Sequence, residues 1–466
     1  MNSVDLGVSL PENRPVAGGC SSPIRLKGHT DHVDRATGDV RRVFSSAGQP
    51  DGVVQVRCNN RRESVCPACS TTYQRDARRL VLAGLAGGSG VPVSVGGHPA
   101  LFVTLTAPSF GPVHSRRSAG KHGPAQACRP RRGVCPHGRP LGCHVRHDDG
   151  DHRLGRPLCV DCFDYRGAVV WNAMLPTLWK ATRDRLESAV AAGSGRSVAA
   201  LRRQVRVTFV KAAEMQARGL VHLHVVVRVD GRSADPDEVV APPVWAGVDL
   251  VADCLRAVLA DVTVEAPDPA HPDQVRLVRW GEQHDIRALA LDGPDSGGKI
   301  ASYLAKYLTK SVSGGGALDR PVRSLAHLGL LRVDGHARRL VETCWQLAAD
   351  ERFAEALDTA AGRLPGRLSG LLRWSHAFGF GGHWITKSHR YSTTFGTLRG
   401  SRRVFARTMA AANAGVGLVD GFGRPDGDPR TIIVRDWAYA GRGAPGNGPP
   451  RQDGSSGGVV STGGRS

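Results

Sequence analysis

Lysine is scarce in this chain. Only eight of its 62 basic residues are lysine, against 42 acidic residues in a total of 466. With abundant Ala, Gly and Pro, that bias is the mark of a GC-rich coding sequence, so arginine excess alone says little about function. The formal charge of +20 nevertheless points to a polyanionic partner, nucleic acid first. Long apolar runs are missing too. None approaches the ~18 residues of a membrane span, so no integral membrane protein is expected. The N-terminus, MNSVDLGVSLPENRPV, lacks a basic start followed by an apolar core. No signal peptide is therefore expected, and cytoplasm is the expected compartment. Eleven cysteines without export are expected as thiols or metal ligands rather than disulfides. A hydrophobic content of 41% suffices for ordinary cores.

The segments alternate in type. Residues 1–50 are polar and rich in Gly, Asp, Arg and Pro, and read as a flexible N-terminus. Residues 51–99 form a Cys-containing N-terminal segment with an amphipathic helix over 71–85. A strand at 101–106 opens a catalytic domain spanning 100–312, interrupted at 110–164 by a Cys-rich insertion of little hydrophobic periodicity. Helices are expected over 165–190, 250–259 and 299–310, and strands over 205–211, 219–229 and 275–279. This is an α+β pattern, a central sheet flanked by helices. Residues 321–441 read as a basic, mainly helical C-terminal region, and 442–466 as a disordered Gly/Pro/Ser tail.

Two motifs carry the chemistry. Val221–Val229 reads VHLHVVVRV, so His222 and His224 project from one face of a strand and the apolar residues from the other. A three-residue loop at 217–219, with Gly219 where positive φ is needed, would pair Glu214 with His222 and bring its carboxylate to the same face. A two-residue loop would set Glu214 opposite Leu223 instead. One carboxylate and two imidazoles suit Mg²⁺ or Mn²⁺. Downstream, SYLAKYLTK places Tyr303 and Tyr307 one turn apart, off the apolar face of Ile300, Leu304 and Leu308, with Lys306 beside them. A metal and two phenols suit transesterification of a DNA phosphodiester.

These motifs resemble those of the HUH endonucleases, and their order, histidines before tyrosines, is that of rolling-circle replication initiators. Cys58-Asn-Asn-Arg-Arg62, Cys66-Pro-Ala-Cys69, Phe102-Val-Thr-Leu-Thr106, Pro157-Leu-Cys-Val-Asp-Cys162 and Lys387–Phe395 are similar to segments of initiators from actinobacterial plasmids and integrative elements. The resemblance runs from about residue 55 to 410. It implies a five-stranded antiparallel sheet and Tyr307 as primary nucleophile, with Tyr303 second. It also implies single-stranded and origin DNA as partners, with a host helicase and DNA polymerase.

Cys135, Cys143, Cys159 and Cys162 offer the ligands of a closed structural Zn²⁺ site. Cys58, Cys66 and Cys69 are a second group, completed by Cys128, His122 or His114. Lys387, Arg390, Arg402 and Arg403, mixed with aromatics, suit DNA backbone contacts and stacking, or equally a solvated basic face. His376, His383 and His389 read as structural. Gly293–Lys299 resembles a phosphate-binding loop, but Ile300 stands where Ser or Thr would hold Mg²⁺, so no ATPase is expected. The readings are therefore a replication initiator, a two-tyrosine transposase with the same catalytic features, or a non-catalytic zinc-containing DNA-binding regulator.

Overall fold

A computed structural model describes residues 18–118, 120, 123–235, 238–271, 273–289, 296–307, 318–364, 369–413 and 418–443, except the side chains of Ser296, Tyr307, Ala410 and Ala411. The chain divides into two compact units, Asn59–Ala410 and a unit made of both chain ends, Met1–Cys58 with Ala411–Ser466.

The larger unit is built on a five-stranded antiparallel sheet. Its strands are β1 (Ala100–Leu105), β2 (Val205–Met215), β3 (Val221–Gly231), β4 (Asp285–Ala288) and β5 (Ile385–Lys387), in the spatial order β4-β1-β3-β2-β5. The strand with the histidines is central. Every residue of β3 is buried, as expected of a strand covered on both faces. Leu223, Val225, Val227 and Val229 pack with Leu101, Val103 and Leu105 under α2 (Tyr165–Gly193) and α3 (Val248–Asp261). On the other face Val226, Val210 and Ala212 pack under α1 (Pro67–Ala86) and α4 (Ser296–Tyr307), through Ala77, Leu80, Val81, Leu85, Ala301, Leu304 and Ala305. At the far end of that face, Arg228 is buried with Asp230, its Nε 2.7 Å from the carboxylate, and His98 lies 2.8 Å from the same oxygen.

Three elements differ from the sequence expectation. The strand Val275–Arg279 pairs with Thr263–Pro267 in a separate hairpin, and the edge position belongs to the short β4. Ile385–Lys387, read from sequence as part of a basic surface, is the opposite edge of the central sheet. Residues 1–50 are not without regular structure. Ile24–Asp34 pairs along its length with Thr431–Arg442, and also with Val40–Ser45 and Val54–Val56. Its main partner lies some 400 residues away, so no local window of sequence shows the pairing. Beyond residue 320, α5 (Gly335–Ala349), α6 (Glu351–Ala360) and α7 (Phe395–Asn413) supply the expected helices. Residues 444–466, the expected tail, lie outside the described residues. Among the described residues, no helix is long and apolar enough to cross a membrane.

Candidate active site

The hairpin between β2 and β3 has the three-residue loop. Gln216 N–H donates to Leu220 O at 2.9 Å, and Gly219 adopts φ +77°, the left-handed conformation that favours glycine. Glu214 consequently pairs with His222, and Ala212 with His224. Glu214 Oε2 lies 3.5 Å from His224 Nε2, and the two imidazole centroids are 4.6 Å apart. His224 is 3% exposed and His222 9%. Burial, reinforced by the neighbouring His224, pushes His222 down to about 4, so its ring is neutral at physiological pH. A neutral imidazole is the form that ligates metal.

The turn is held from several sides. Asn172, on α2, donates to Gly219 O at 2.8 Å and accepts from Val221 N–H at 3.1 Å. His336 Nε2 lies 3.0 Å from Arg218 O, and Tyr165 Oη lies 2.9 Å from the other nitrogen of that ring. The Arg218 guanidinium donates to Ala107 O, Pro108 O and Gln216 Oε1, the last at 2.8 Å. Gln216 Nε2 in turn lies 3.4 Å from His222 Nδ1. Sequence reading missed Gln216, Arg218 and Asn172. Arg218 sits inside the loop whose register was at issue and Gln216 closes it, which was the available signal.

Helix α4 buries Ala301, Leu304 and Ala305, which turns Tyr303 toward the sheet. Its ring stands edge-on to His224 at 5.2 Å and to Phe102 at 5.9 Å, and the residue is 43% exposed. Lys306 is exposed. Tyr307 is the last residue of α4, and its side chain lies outside the described residues. Glu214, His222, His224 and Tyr303 thus share one locus. Lys299 is inside α4, while Gly293–Asp295 lie outside the described residues.

The insertion contains two Cys/His groups: His114, Cys128, Cys143 and His147, and Cys135, His137, Cys159 and Cys162. In each, one ligand atom per residue lies within 4.8 Å of all the others, a composition consistent with zinc binding. This partition corrects the expected four-cysteine set. Cys143 belongs to the first group, because Arg129 and Cys143 exchange backbone hydrogen bonds and carry Cys128 beside it, and His137 takes the fourth place in the second. Counting cysteines alone hid the histidines of both groups. Cys128 and His114, offered as partners for Cys58, Cys66 and Cys69, are thereby engaged elsewhere, and His122 lies outside the described residues. Cys66 caps the N-terminus of α1 and Cys69 lies in its first turn, and Cys58 N–H donates to Cys20 Sγ at 3.4 Å.

Of the basic candidates, Arg402 is paired with Asp76 and Lys387 Nζ donates to the carbonyls of Ser388 and His389. Arg390 is half-buried. Arg403 is exposed on α7, beside the exposed Val404 and Phe405.

An antiparallel sheet and a helix packed on it gather a carboxylate, two imidazoles and a phenol at one locus, and with an insertion carrying two Cys/His groups consistent with zinc binding they define a mixed α+β protein. The family it belongs to follows from comparison. The family model described as "Replication initiator protein, pSAM2" matches residues 12–450, and the chain belongs to that family. A "Replication initiator protein" of Streptomyces ambofaciens is 39% identical over 433 residues, covering 91% of this chain and 84% of the relative. No solved structure matches.

Proposed function

We propose that this initiator nicks one strand of its origin DNA by tyrosine transesterification, on an HUH-type domain. A phenolic oxygen of α4 attacks the scissile phosphorus, and the P–O3′ bond breaks. The 5′ end stays on tyrosine, and the 3′ oxygen leaves, takes up a proton and serves as a primer for a host polymerase, with a host helicase opening the duplex. The observation that carries this reading is Tyr303 standing against His224, 3.5 Å from whose Nε2 lies Glu214.

Glu214, His222 and His224 fit Mg²⁺ or Mn²⁺. The donors are one hard oxygen and two nitrogens, with the buried His222 kept neutral. Such an ion, when bound, polarises the scissile phosphate and stabilises charge on its oxygens. The chain's own residues do the rest. The Arg218–Gln216 pair and Asn172 hold the hairpin on which all three donors ride. The buried alanines and Leu304 of α4 fix the rotation that aims Tyr303. Tyr307 is the primary nucleophile and Tyr303 the second, which supports strand transfer at termination, while Lys306 contacts the DNA phosphate. Zn²⁺ at Cys135, His137, Cys159 and Cys162 staples the insertion, and Arg403 contributes to holding single-stranded DNA. A two-tyrosine transposase would share these features, and membership of an initiator family favours the initiator.

The test is adduct formation on end-labelled single-stranded origin oligonucleotide with Mg²⁺ or Mn²⁺, followed by peptide mapping. Tyr307→Phe should fold as the wild type and lose the covalent adduct, and Tyr303→Phe should nick once but fail to release a closed circle. Adduct persisting in the double Phe variant would remove the tyrosine mechanism.

A further inference from the structure

We propose that His114, Cys128, Cys143 and His147 form a second, independent zinc site of the Cys₂His₂ type, so that the insertion holds two ions rather than one. The proposal does not depend on the nicking chemistry.

The two cysteines are brought together by backbone pairing. Arg129 N–H donates to Cys143 O at 2.8 Å, Cys143 N–H to Arg129 O at 2.7 Å, and Cys128 N–H to Val145 O at 2.9 Å. The strands approach so closely at Gly142 that a Cβ there would stand 2.1 Å from Arg131 O. The histidines complete the group. His147 Nε2 lies 3.5 Å from Cys143 Sγ and 3.2 Å from His114 Nδ1. His147 is fully buried and Cys128 is 2% exposed, so these donors are shielded from water.

The surroundings of His147 point to a metal rather than to a mere hydrogen-bonded cluster. Its Nδ1 lies 2.6 Å from Asp151 Oδ2, and Asp151 is held in place by Arg153 at 2.7 Å. A carboxylate accepting from Nδ1–H fixes the tautomer in which Nε2 carries a lone pair. That lone pair faces the two thiols and the second imidazole. This carboxylate–histidine arrangement is the usual outer support of a zinc-bound histidine. Two soft sulfurs and two imidazoles select Zn²⁺ over the hard cation expected at Glu214. The Cys135 group shares no residue with this one, so each can fill alone.

The site has a structural consequence. Gly155 N–H donates to His114 O at 2.8 Å, and Gly155, at φ +80°, lies against the hairpin turn. A Cβ there would meet Ala217 Cβ at 2.5 Å and Arg218 N at 2.7 Å. The segment hydrogen-bonded to the His114 backbone thus lies against the turn that joins Glu214 to His222.

The test uses full-length protein purified without added metal, with zinc per chain measured by elemental mass spectrometry. Cys128→Ser and Cys159→Ser should each lose one zinc relative to wild type, and the double variant should lose two. Cobalt exchanged into Cys159→Ser should keep the d–d bands of a two-thiolate tetrahedral site. Asp151→Asn should keep the zinc count but surrender metal to a chelator about 10–100-fold more readily. In wild-type protein, which avoids any folding defect of the variants, maleimide should label Cys128 and Cys143 only after chelation. Unchanged zinc in Cys128→Ser would overturn the proposal. So would loss of both ions from that single variant, or labelling of native Cys128 and Cys143 at equal rates with and without chelator.

Discussion

At the scale of single residues, burial decides which groups can act. His222→Ala or His224→Ala should abolish cleavage, because each removes one donor from a set of three. Nicking of labelled oligonucleotide across a Mn²⁺ titration measures this, and wild-type cleavage by the double alanine variant would end the metal assignment. Another buried histidine, His376, lies beside Arg62 and Asp319. His376 is pushed down to about 4, mainly by burial and then by the positive charge of Arg62, partly offset by Asp319. Its folded pKa lies below the ordinary value of 6.5, so the unfolded chain takes up a proton that the folded chain refuses. The stability contributed is complete above pH 6.5 and is lost as pH falls toward 4, by roughly 3 kcal/mol at most. His376→Leu should flatten the fall in urea midpoint between pH 7 and pH 5, though not abolish it, since His222 titrates in the same direction. The His222/His224 pair was legible because strand period alone puts i and i+2 on one face. His137 and His147 were not legible, because a ligand's identity depends on which loops a fold brings together, and spacing in a irregular insertion does not encode that.

At the scale of elements, the β2–β3 hairpin is where sequence reasoning reached furthest. Loop length and one glycine determined the register, and the register determined which face Glu214 occupies. Gly219 is also sterically confined, since a Cβ would stand 2.1 Å from Leu340 Cδ1. Gly219→Val combines a positive-φ penalty with that clash and should destabilise the larger unit by about 2–4 kcal/mol. Thermal unfolding would show the loss, and Glu214-dependent Mn²⁺ binding should weaken with it. The edge strands β4 and β5 escaped reading for a different reason. Four and three residues are too few to display a period, and only pairing with β1 and β2 identifies them. Lys387 looked like a DNA contact because its neighbours are basic and aromatic. In place, its Nζ turns back to two carbonyls of its own chain.

At the scale of the whole molecule, the expected catalytic span of 100–312 stops short of the sheet it was meant to contain. β5 closes the sheet from residues 385–387, and Tyr391 and Leu398 pack in the same apolar cluster as Leu304. A fragment ending at 312 should therefore aggregate or resist expression, whereas one spanning 59–410 should fold, as read by a single cooperative melting transition. The smaller unit raises a matter of timing. Ile24–Asp34 leaves the ribosome some 400 residues before its long partner, Thr431–Arg442, and Trp437 Nε1 reaches Thr30 across 407 positions of sequence. At about 5–20 residues per second, the first strand waits roughly 20–80 s with an unpaired edge. Nascent chains arrested before residue 430 should accordingly be clipped by protease within residues 24–45 while the larger unit resists, and synthesis of Thr431–Arg442 should restore protection. Translation speed, rather than equilibrium stability, then governs how much of this protein reaches its native pairing.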